Sequence, residues 1–142
     1  MKKIISLSFF AGLFITACKS GPEPVCKTDA TSIAASYRIT AVTYKSTPTS
    51  PEEDYMNILF PDACQRDDVY TFQTNGTYLL KDVGSVCSPS NDDNGSWSVS
   101  GNNMIIDGDP TAIESFDCKF LIISNTDIQN TGDKLKLTMT KQ

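Results

Sequence analysis

The sequence of 142 residues contains no histidine. Without that side chain the protein cannot form a Ser-His-Asp triad, a Cys-His nucleophile pair or a histidine-ligated zinc centre. It also lacks the side chain that most often serves as a general base. No Gly-rich phosphate loop or dinucleotide fingerprint is present, and no glutamate stands in a glycosidase-like motif. We therefore expect no catalytic residues, no enzyme activity and no cofactor.

Positive charge is scarce and scattered. The chain has 12 lysines and arginines against 17 acidic residues. If Lys2 and Lys3 are lost with a leader, ten basic residues remain against the same 17 acidic ones. Nucleic acids and anionic lipid headgroups are bound by clustered positive charge. We expect neither as a partner.

The chain also lacks an apolar run of the roughly 20 residues that a permanent membrane-spanning helix needs. The apolar stretch over residues 4–15 follows Lys2 and Lys3, which is the pattern of a secretory signal peptide. It ends in Ile15-Thr16-Ala17-Cys18, which resembles the lipobox of bacterial lipoproteins. That resemblance implies cleavage before Cys18, a diacylglyceryl thioether on its sulfur, and a fatty acyl chain such as palmitate on the new amino terminus. The alternatives are an uncleaved anchor helix and a plain secretory signal.

This interpretation divides the chain into three parts. Residues 1–17 are predicted to be the signal peptide, residues 18–33 the lipidated cysteine with a flexible tether, and residues 34–142 the folded domain. Two or three acyl chains hold a protein stably on a membrane. Lys19 follows the lipidated cysteine and, by resemblance to the sorting rules of Gram-negative lipoproteins, does not retain the protein at the inner membrane. We expect lipid-anchored attachment to the outer membrane, on its periplasmic face or at the cell surface.

Four cysteines remain once Cys18 carries lipid, and an even number in an exported chain is typical of disulfides. Three pairings are open. We favour Cys64 with Cys87, because a strong hairpin pattern between them would bring its flanks together, which leaves Cys26 with Cys118. A metal site is not expected, since no pair has the C-x₂₋₄-C spacing of structural zinc sites.

Short β-rich runs separated by turn residues fill the rest of the chain. The clearest pair, residues 69–73 and 77–81, is joined across Asn75-Gly76, the strongest short-range hairpin signal. A second hairpin is predicted around Gly101, and residues 52–60 could form one or two helical turns. Further strands are predicted at residues 37–44, 119–123 and 134–140, the last with strict alternation of polar and apolar positions.

Hairpin-linked strands without a long helix indicate an all-β fold. A sandwich and a barrel both fit the strand spacing, but consecutive tight hairpins favour a meander over Greek-key crossovers. The prediction is a small antiparallel up-and-down β-barrel of seven to eight strands.

The middle third of the chain resembles a known family. The pattern runs from Cys64 through Asp67-Asp68-Val69-Tyr70, Asn75-Gly76-Thr77-Tyr78 and Cys87 to Asn94-Gly95-Ser96-Trp97. It resembles the small lipocalin-like lipoproteins of the Bacteroidetes type, which are secreted, lipid-anchored barrels. The departure is in the first strand, where the family usually has a tryptophan and this chain offers only Tyr37 or Tyr44.

The interior of such a barrel is either filled by side chains or hollow enough for one small ligand. Strand alternation predicts an inward-facing set of aromatic and aliphatic residues that would suit a hydrophobic or amphipathic ligand. The predicted lining consists of Tyr70, Phe72, Tyr78, Leu80, Trp97, Val99, Met104, Ile106, Phe120, Ile122 and Leu137, with Leu135 and Met139 on the same face. The same residues would pack the core of a filled barrel.

Acidic residues gather at Asp67-Asp68, Asp92-Asp93, Asp107 and Asp109. No EF-hand spacing is present, and Asp is a residue that turns require, so turn chemistry is favoured over a metal site. Two functions are left open. The first is a lipocalin-like domain that binds a small apolar or amphipathic ligand. The second is a filled, non-catalytic barrel that contacts a protein or glycan through loops 47–62 and 88–94.

Overall fold

A computed structural model describes residues 26–142. The predicted signal peptide and Cys18 lie outside the described residues. In chain order the elements are α1 (Ala30–Ile33), β1 (Ser36–Lys45), β2 (Glu53–Asp54), α2 (Met56–Leu59), a 3₁₀ turn (Ala63–Gln65), β3 (Val69–Phe72), β4 (Thr77–Lys81), β5 (Asp93–Ser100), β6 (Asn103–Ile106), β7 (Asp109–Phe116), β8 (Phe120–Thr126) and β9 (Lys134–Lys141). No helix within residues 26–142 has the length and apolar content that a membrane crossing requires.

The strands form one closed antiparallel sheet. From β3 to β9 each strand pairs with the next along the chain, as tight hairpins dictate. The sheet closes because β1 pairs with β9 on one side, along most of its length, and with β3 on the other. The two-residue β2 continues the wall beside Thr43 and Tyr44. The predicted all-β, up-and-down barrel is confirmed.

Two strands are not among those that the sequence predicts. Glu53–Asp54 form β2 within the range predicted as helical turns, and residues 109–116, where no strand is predicted, form β7, which pairs with β6 and β8. This strand begins with Asp109 and Pro110, which are not typical of strands. The alternation of buried and exposed side chains, with Thr111 and Ile113 buried, is therefore not evident from the sequence. The sequence signal for this hairpin is the Asp107-Gly108 pair. In the structure both residues have positive φ, at 51° and 96°. Such a two-residue turn is typical of a hairpin.

The hairpin connections define two ends of the barrel. At the first, which we call the α1 end, β1 begins, β9 finishes, and short turns join β3 to β4, β5 to β6 and β7 to β8. At the second, which we call the long-loop end, lie residues 46–52, 60–68, 82–92, 107–108 and 127–133. All the long connections thus lie at one end, together with the two-residue turn at 107–108.

The helix α1 belongs to the folded domain. Its amino terminus is capped by Asp29, whose Oδ1 accepts a hydrogen bond from the Ser32 amide at 2.8 Å. Ile33 is fully buried in the core, and its carbonyl accepts a hydrogen bond from the Tyr37 hydroxyl at 2.8 Å. The prediction that residues 18–33 are all flexible tether is therefore corrected for residues 30–33, because the barrel needs an apolar side chain at its α1 end.

Candidate functional site

Two disulfides hold the two ends of the barrel. Cys26 is bonded to Cys118, which lies in the turn between β7 and β8 at the α1 end. Cys64, in the 3₁₀ turn, is bonded to Cys87 in the loop between β4 and β5 at the long-loop end. This is the favoured pairing of the three that the sequence leaves open. The second bridge ties together two of the longest connections in the domain.

Four of the predicted lining residues are buried in the hydrophobic core: Phe72, Tyr78, Trp97 and Met104. The ring of Phe72 lies at the centre of an aromatic group, with centroids 5.1 Å from Trp97, 6.0 Å from Tyr37 and 6.2 Å from Tyr78. The Trp97 Nε1 donates a hydrogen bond to the Gln73 carbonyl at 2.9 Å. These side chains fill the barrel interior as a packed core.

The remaining lining residues of β3 to β6 and β9 face inward but are less buried. Tyr70, Val99, Ile106 and Leu137 pack against the core while keeping part of their surface exposed, as Leu135 does. Met139 is buried. Leu80 lies on the same face by its pairing with Tyr70, although it is outside the core cluster. The inward assignment therefore holds for these strands.

The prediction that Phe120 and Ile122 point into the barrel is wrong. In β8 the buried residues are Leu121 and Ile123, which pair with Met139 and Leu137 of β9. Cross-strand partners share a face, so Phe120 and Ile122 lie on the outer face. Four consecutive apolar residues at positions 120–123 give no alternation, so the sequence of this strand alone could not set its phase.

Sequence reasoning also did not include Ile33, Ile39, Val42 and Ile113 in the interior, all of which belong to the core. Ile39 and Val42 are on opposite sides of a register shift between Ile39 and Ala41, where β1 departs from simple alternation against β9. A strict period of two therefore could not place both residues inside. Ile33 precedes the first strand and had no sheet periodicity to identify it.

Gly95 is required by the contact between β4, β5 and the turn after β6. The Tyr78 hydroxyl donates a hydrogen bond to Asp107 Oδ2 at 2.8 Å, and Asp107 Oδ1 accepts one from the Ser96 amide at 2.7 Å. A Cβ on Gly95 would lie 2.2 Å from Asp107 Oδ1 and 2.6 Å from Tyr78 Cε1. Burial and the bonded Asp107 raise the pKa of Tyr78 to about 12. The Asn-Gly-Ser-Trp segment is thus built around a closely packed glycine.

A second polar group organises the long-loop end. The Asp133 carboxylate is fully buried and accepts hydrogen bonds from the amides of Ile128, Gln129 and Asn130 and from the Tyr44 hydroxyl at 2.8 Å. Burial alone would raise the pKa of Asp133, but these donors outweigh it and lower the pKa to about 2. This carboxylate therefore fixes the loop between β8 and β9.

Tyr44 and Gln129, which belong to this polar group, also contact Tyr55, the residue that precedes α2. The ring of Tyr44 packs on that of Tyr55 with centroids 4.9 Å apart, and the Tyr55 hydroxyl accepts a hydrogen bond from Gln129 Nε2 at 3.1 Å. Tyr55, Met56 and Phe60 pack against the core. Residues 55–60 therefore cover part of the long-loop end.

Most of the acidic residues have turn roles. Asp82 accepts hydrogen bonds from the amides of Cys87 and Asn91, and Asp92 accepts one from the Asp82 amide. Asp107 stands in the hairpin turn, whereas Asp109 begins β7. Within the described part of the chain, no group of three or more His, Cys, Asp or Glu side chains is arranged to hold a metal ion.

Exposed apolar side chains concentrate at the long-loop end. The large hydrophobic residues most exposed in the described chain are Ile58, Leu59, Val86 and Ile128. Val86 and Ile128 lie in connections at this end, and Ile58 and Leu59 lie in α2, in the connection between β2 and β3. One surface pocket lies along β6, β7 and β8 beside Pro110 and Ile128, and another lies at this end beside Lys45 and Pro48. Neither pocket is lined by any predicted lining residue.

A family model described as a lipocalin-like domain matches residues 33–138. No curated protein and no solved structure gives a significant match to the chain. The matched range begins at the buried Ile33 and reaches into β9, so it spans all nine strands described above.

Proposed function

Because the chain belongs to the lipocalin-like domain family, we propose that it is a membrane-anchored binding domain that holds a small apolar or amphipathic molecule at its long-loop end. The observation that carries this proposal is the uneven filling of the barrel. At the α1 end Ile33 and Tyr37 are fully buried. At the long-loop end the inward-facing side chains of Tyr70, Leu80 and Ile106 stay partly exposed.

Apolar surface that remains partly exposed on an inward face gains free energy when a ligand covers it, by about 25 cal/mol for each Å² removed from water. Phe72, Trp97 and Met104 already occupy the interior, so the proposed ligand lies across the long-loop end and does not penetrate to the aromatic group. The proposed activity is binding and includes no catalytic step.

A titration with a neutral amphiphile tests this proposal. The mature chain, residues 18–142 with Cys18→Ser, would be titrated with dodecyl maltoside below its micelle concentration while amide chemical shifts are followed. We expect shifts in β3, β4 and the loop at 82–92, and weaker binding by Leu80→Ala. Ile122→Ala is the matched control, because it removes the same kind of surface from the outer face. Shifts confined to the outer face, or none, would contradict the proposal.

We further propose that the protein is cleaved before Cys18, lipidated there and carried to the outer membrane. The lipobox supports this, and two disulfides suit an oxidising compartment. The Cys26–Cys118 bridge fixes the start of the domain at the α1 end. From Cys18 to Cys26 the chain advances eight residues, at most about 29 Å when extended. The α1 end would therefore lie near the membrane, and the long-loop end would face away from it.

Fractionation of cells that express the full precursor tests the anchor. The unaltered protein is expected in the membrane fraction, and Cys18→Ala is expected to release it to the soluble fraction or to leave an uncleaved precursor. Ser20→Ala serves as the control and should remain with the membrane. A Cys18→Ala protein of mature length that still sediments with membranes would contradict lipid anchoring at this position.

A second candidate function is a filled barrel that contacts a protein or a glycan through its loops. The position of Ile58, Leu59, Val86 and Ile128 at one end favours it, because such side chains are common in interaction surfaces. The titration above separates the two, since a loop-contact protein would show no saturable shifts of the inward-facing strand residues.

A further inference from the structure

A group of inward-facing side chains at the long-loop end combines two carboxylates with an aromatic ring and an aliphatic residue. We call Asp68, Tyr70, Leu80 and Asp93 the mouth cluster. Leu80 pairs with Tyr70 of β3 on one side and with Asp93 of β5 on the other, so the three share a face. Asp68 stands two residues before Tyr70, just before β3 begins, and its side chain is buried.

Asp68 is a buried carboxylate with no cationic partner among the described residues. Only 5% of its surface is exposed, and its Oδ1 has no hydrogen-bond partner within residues 26–142. Its Oδ2 accepts a hydrogen bond from Asn91 Nδ2 at 3.3 Å. A buried charge without a counter-charge has a high free-energy cost, and a positive ligand group at this position would lower that cost.

The ion pairs of the described residues lie elsewhere. Lys81 is paired with Asp92, Lys134 with Glu114, and Lys136 with Glu52. Neither Asp68 nor Asp93 takes part in an ion pair within residues 26–142. In the part of the chain that the structure describes, the Asp93 Oδ1 accepts one hydrogen bond, from the neighbouring Asn94 amide. Neither carboxylate of the mouth cluster thus has a counter-charge in that part of the chain.

The negative charges of both carboxylates act on Tyr70. Burial raises the pKa of Tyr70 first, and the negative charges of Asp68 and Asp93 raise it further. Burial also raises the pKa of Asp68, and so do the charges of Asp82 and Asp67, against the lowering effect of the Asn91 hydrogen bond and the Val83 amide. The charged groups that act on the pKa values of Tyr70 and Asp68 are therefore all negative.

A hard metal ion fits this arrangement poorly. Calcium takes six to eight oxygen ligands. The oxygens of Asp82 are engaged by the Cys87 and Asn91 amides, and the Asp67 Oδ2 by the Ser85 amide. An organic ammonium needs fewer oxygens and is attracted to the face of a phenol ring. The combination of Tyr70 with two carboxylates that take part in no ion pair of the described residues fits that group.

We propose that the mouth cluster binds the cationic head of a small amphiphile, with Asp68 and Asp93 facing the positive charge, Tyr70 beside it and Leu80 under the start of the apolar tail. The inference rests on the proposed function, because it specifies the ligand of the same site. Acidic side chains in the other connections at this end, such as Asp107 and Asp127, extend the negative surface toward an approaching cation.

Three amphiphiles with the same twelve-carbon tail provide the test: dodecyltrimethylammonium, neutral dodecyl maltoside and laurate, each below its micelle concentration. Their dissociation constants for the mature chain with Cys18→Ser would be measured by chemical-shift titration. We expect the ammonium compound to bind about tenfold more tightly than the maltoside, and laurate to bind more weakly than either.

Asp68→Asn and Asp93→Asn should each reduce the tenfold preference to about threefold or less. Asp92→Asn is the matched control. Asp92 adjoins Asp93 in sequence but pairs with Lys81, and its loss should leave the preference intact. Asp68→Asn is expected to be at least as stable to heat as the parent protein, because it removes a charge repelled by Asp67 and Asp82.

The outcomes separate the two proposals. If the neutral and cationic compounds bind equally, the proposed function stands and this inference fails. If the preference survives both Asp68→Asn and Asp93→Asn, the assignment to the mouth cluster fails. If no amphiphile binds to the folded chain, the proposed function itself fails, and the inference fails with it.

Discussion

Gly95 lies where a tyrosine ring and a carboxylate cross the backbone of the neighbouring strand. Gly95→Ala would force its new methyl group against Asp107 Oδ1 and Tyr78 Cε1. We expect a loss of about 1–3 kcal/mol in the free energy of unfolding, which is typical of overpacking. Urea denaturation measures it.

Asp107→Ala supplies the control for this prediction, because it removes the nearer of the two obstacles. In that background Gly95→Ala should cost less than in the parent protein, which a double-mutant cycle measures as a coupling energy. Equal costs in both backgrounds would show that the carboxylate does not exclude a side chain at position 95.

The lowered pKa of Asp133 leads us to expect that the stability of the folded protein depends on pH. Its pKa is lowered from 3.8 in the unfolded chain to about 2 in the fold. The folded carboxylate therefore contributes stability that is present above about pH 4 and lost as pH falls toward 2. The difference in unfolding free energy between the parent protein and Asp133→Asn should shrink over that window. A difference that is constant from pH 6 to pH 2 would contradict this role.

Inward and outward positions were predictable where polar and apolar residues alternate. The assignments of Phe72 in β3, Tyr78 in β4, Trp97 in β5 and Met104 in β6 are confirmed. The assignments in β8 are wrong, because its run of apolar residues does not show which positions face inward. The pairing of Leu121 with Met139 determines that. The mouth cluster was not identifiable, because the shared face of Tyr70, Leu80 and Asp93 depends on the pairing of three strands.

The helices α1 and α2 are both four residues long, and each contains one isoleucine at a very different depth. Ile33 in α1 is fully buried, whereas 63% of the surface of Ile58 in α2 is exposed. Ile33→Ala should lower the unfolding free energy by about 2–5 kcal/mol. Ile58→Ala should change it by no more than about 0.5 kcal/mol.

Thermal denaturation of the two variants under identical conditions measures this contrast. Similar losses in both would show that α1 does not close the barrel, or that α2 is packed more tightly than its exposure indicates. Neither helix has an amphipathic period that sequence could reveal, because one turn is too short to repeat. Pro61 and the preceding acidic residues still predicted the position of α2 within the broader range 52–60.

The hairpin order of the barrel was predictable from local signals, since Asn75-Gly76 and similar turns pair strands that are adjacent in sequence. The pairing of β1 with β9 that closes the barrel was not, because these strands are separated by most of the chain and only the strict alternation of β9 indicated a buried face. The strand β7 was hidden by Pro110. The count of seven to eight strands thus approached the observed nine without identifying each one.

The two disulfides constrain very different lengths of chain, 92 and 23 residues of sequence separation. In the chain-entropy model, Cys26→Ser with Cys118→Ser should cost about 4–5 kcal/mol, and Cys64→Ser with Cys87→Ser about 3 kcal/mol. Equilibrium unfolding in urea measures both losses. A larger cost for the shorter loop would show that native contacts near Cys64 dominate over chain entropy.

The Cys26–Cys118 bond also determines where mechanical load enters the domain. A pull on the chain before Cys26 passes through a covalent bond to the turn between β7 and β8, so α1 and the first hydrogen bonds of β1 carry little of it. Hydrogen bonds at the end of a strand would otherwise open one after another. If the domain is held at its amino terminus and pulled by flowing solvent, it would therefore rotate about this turn as a rigid unit, and β1 would stay paired with its neighbours.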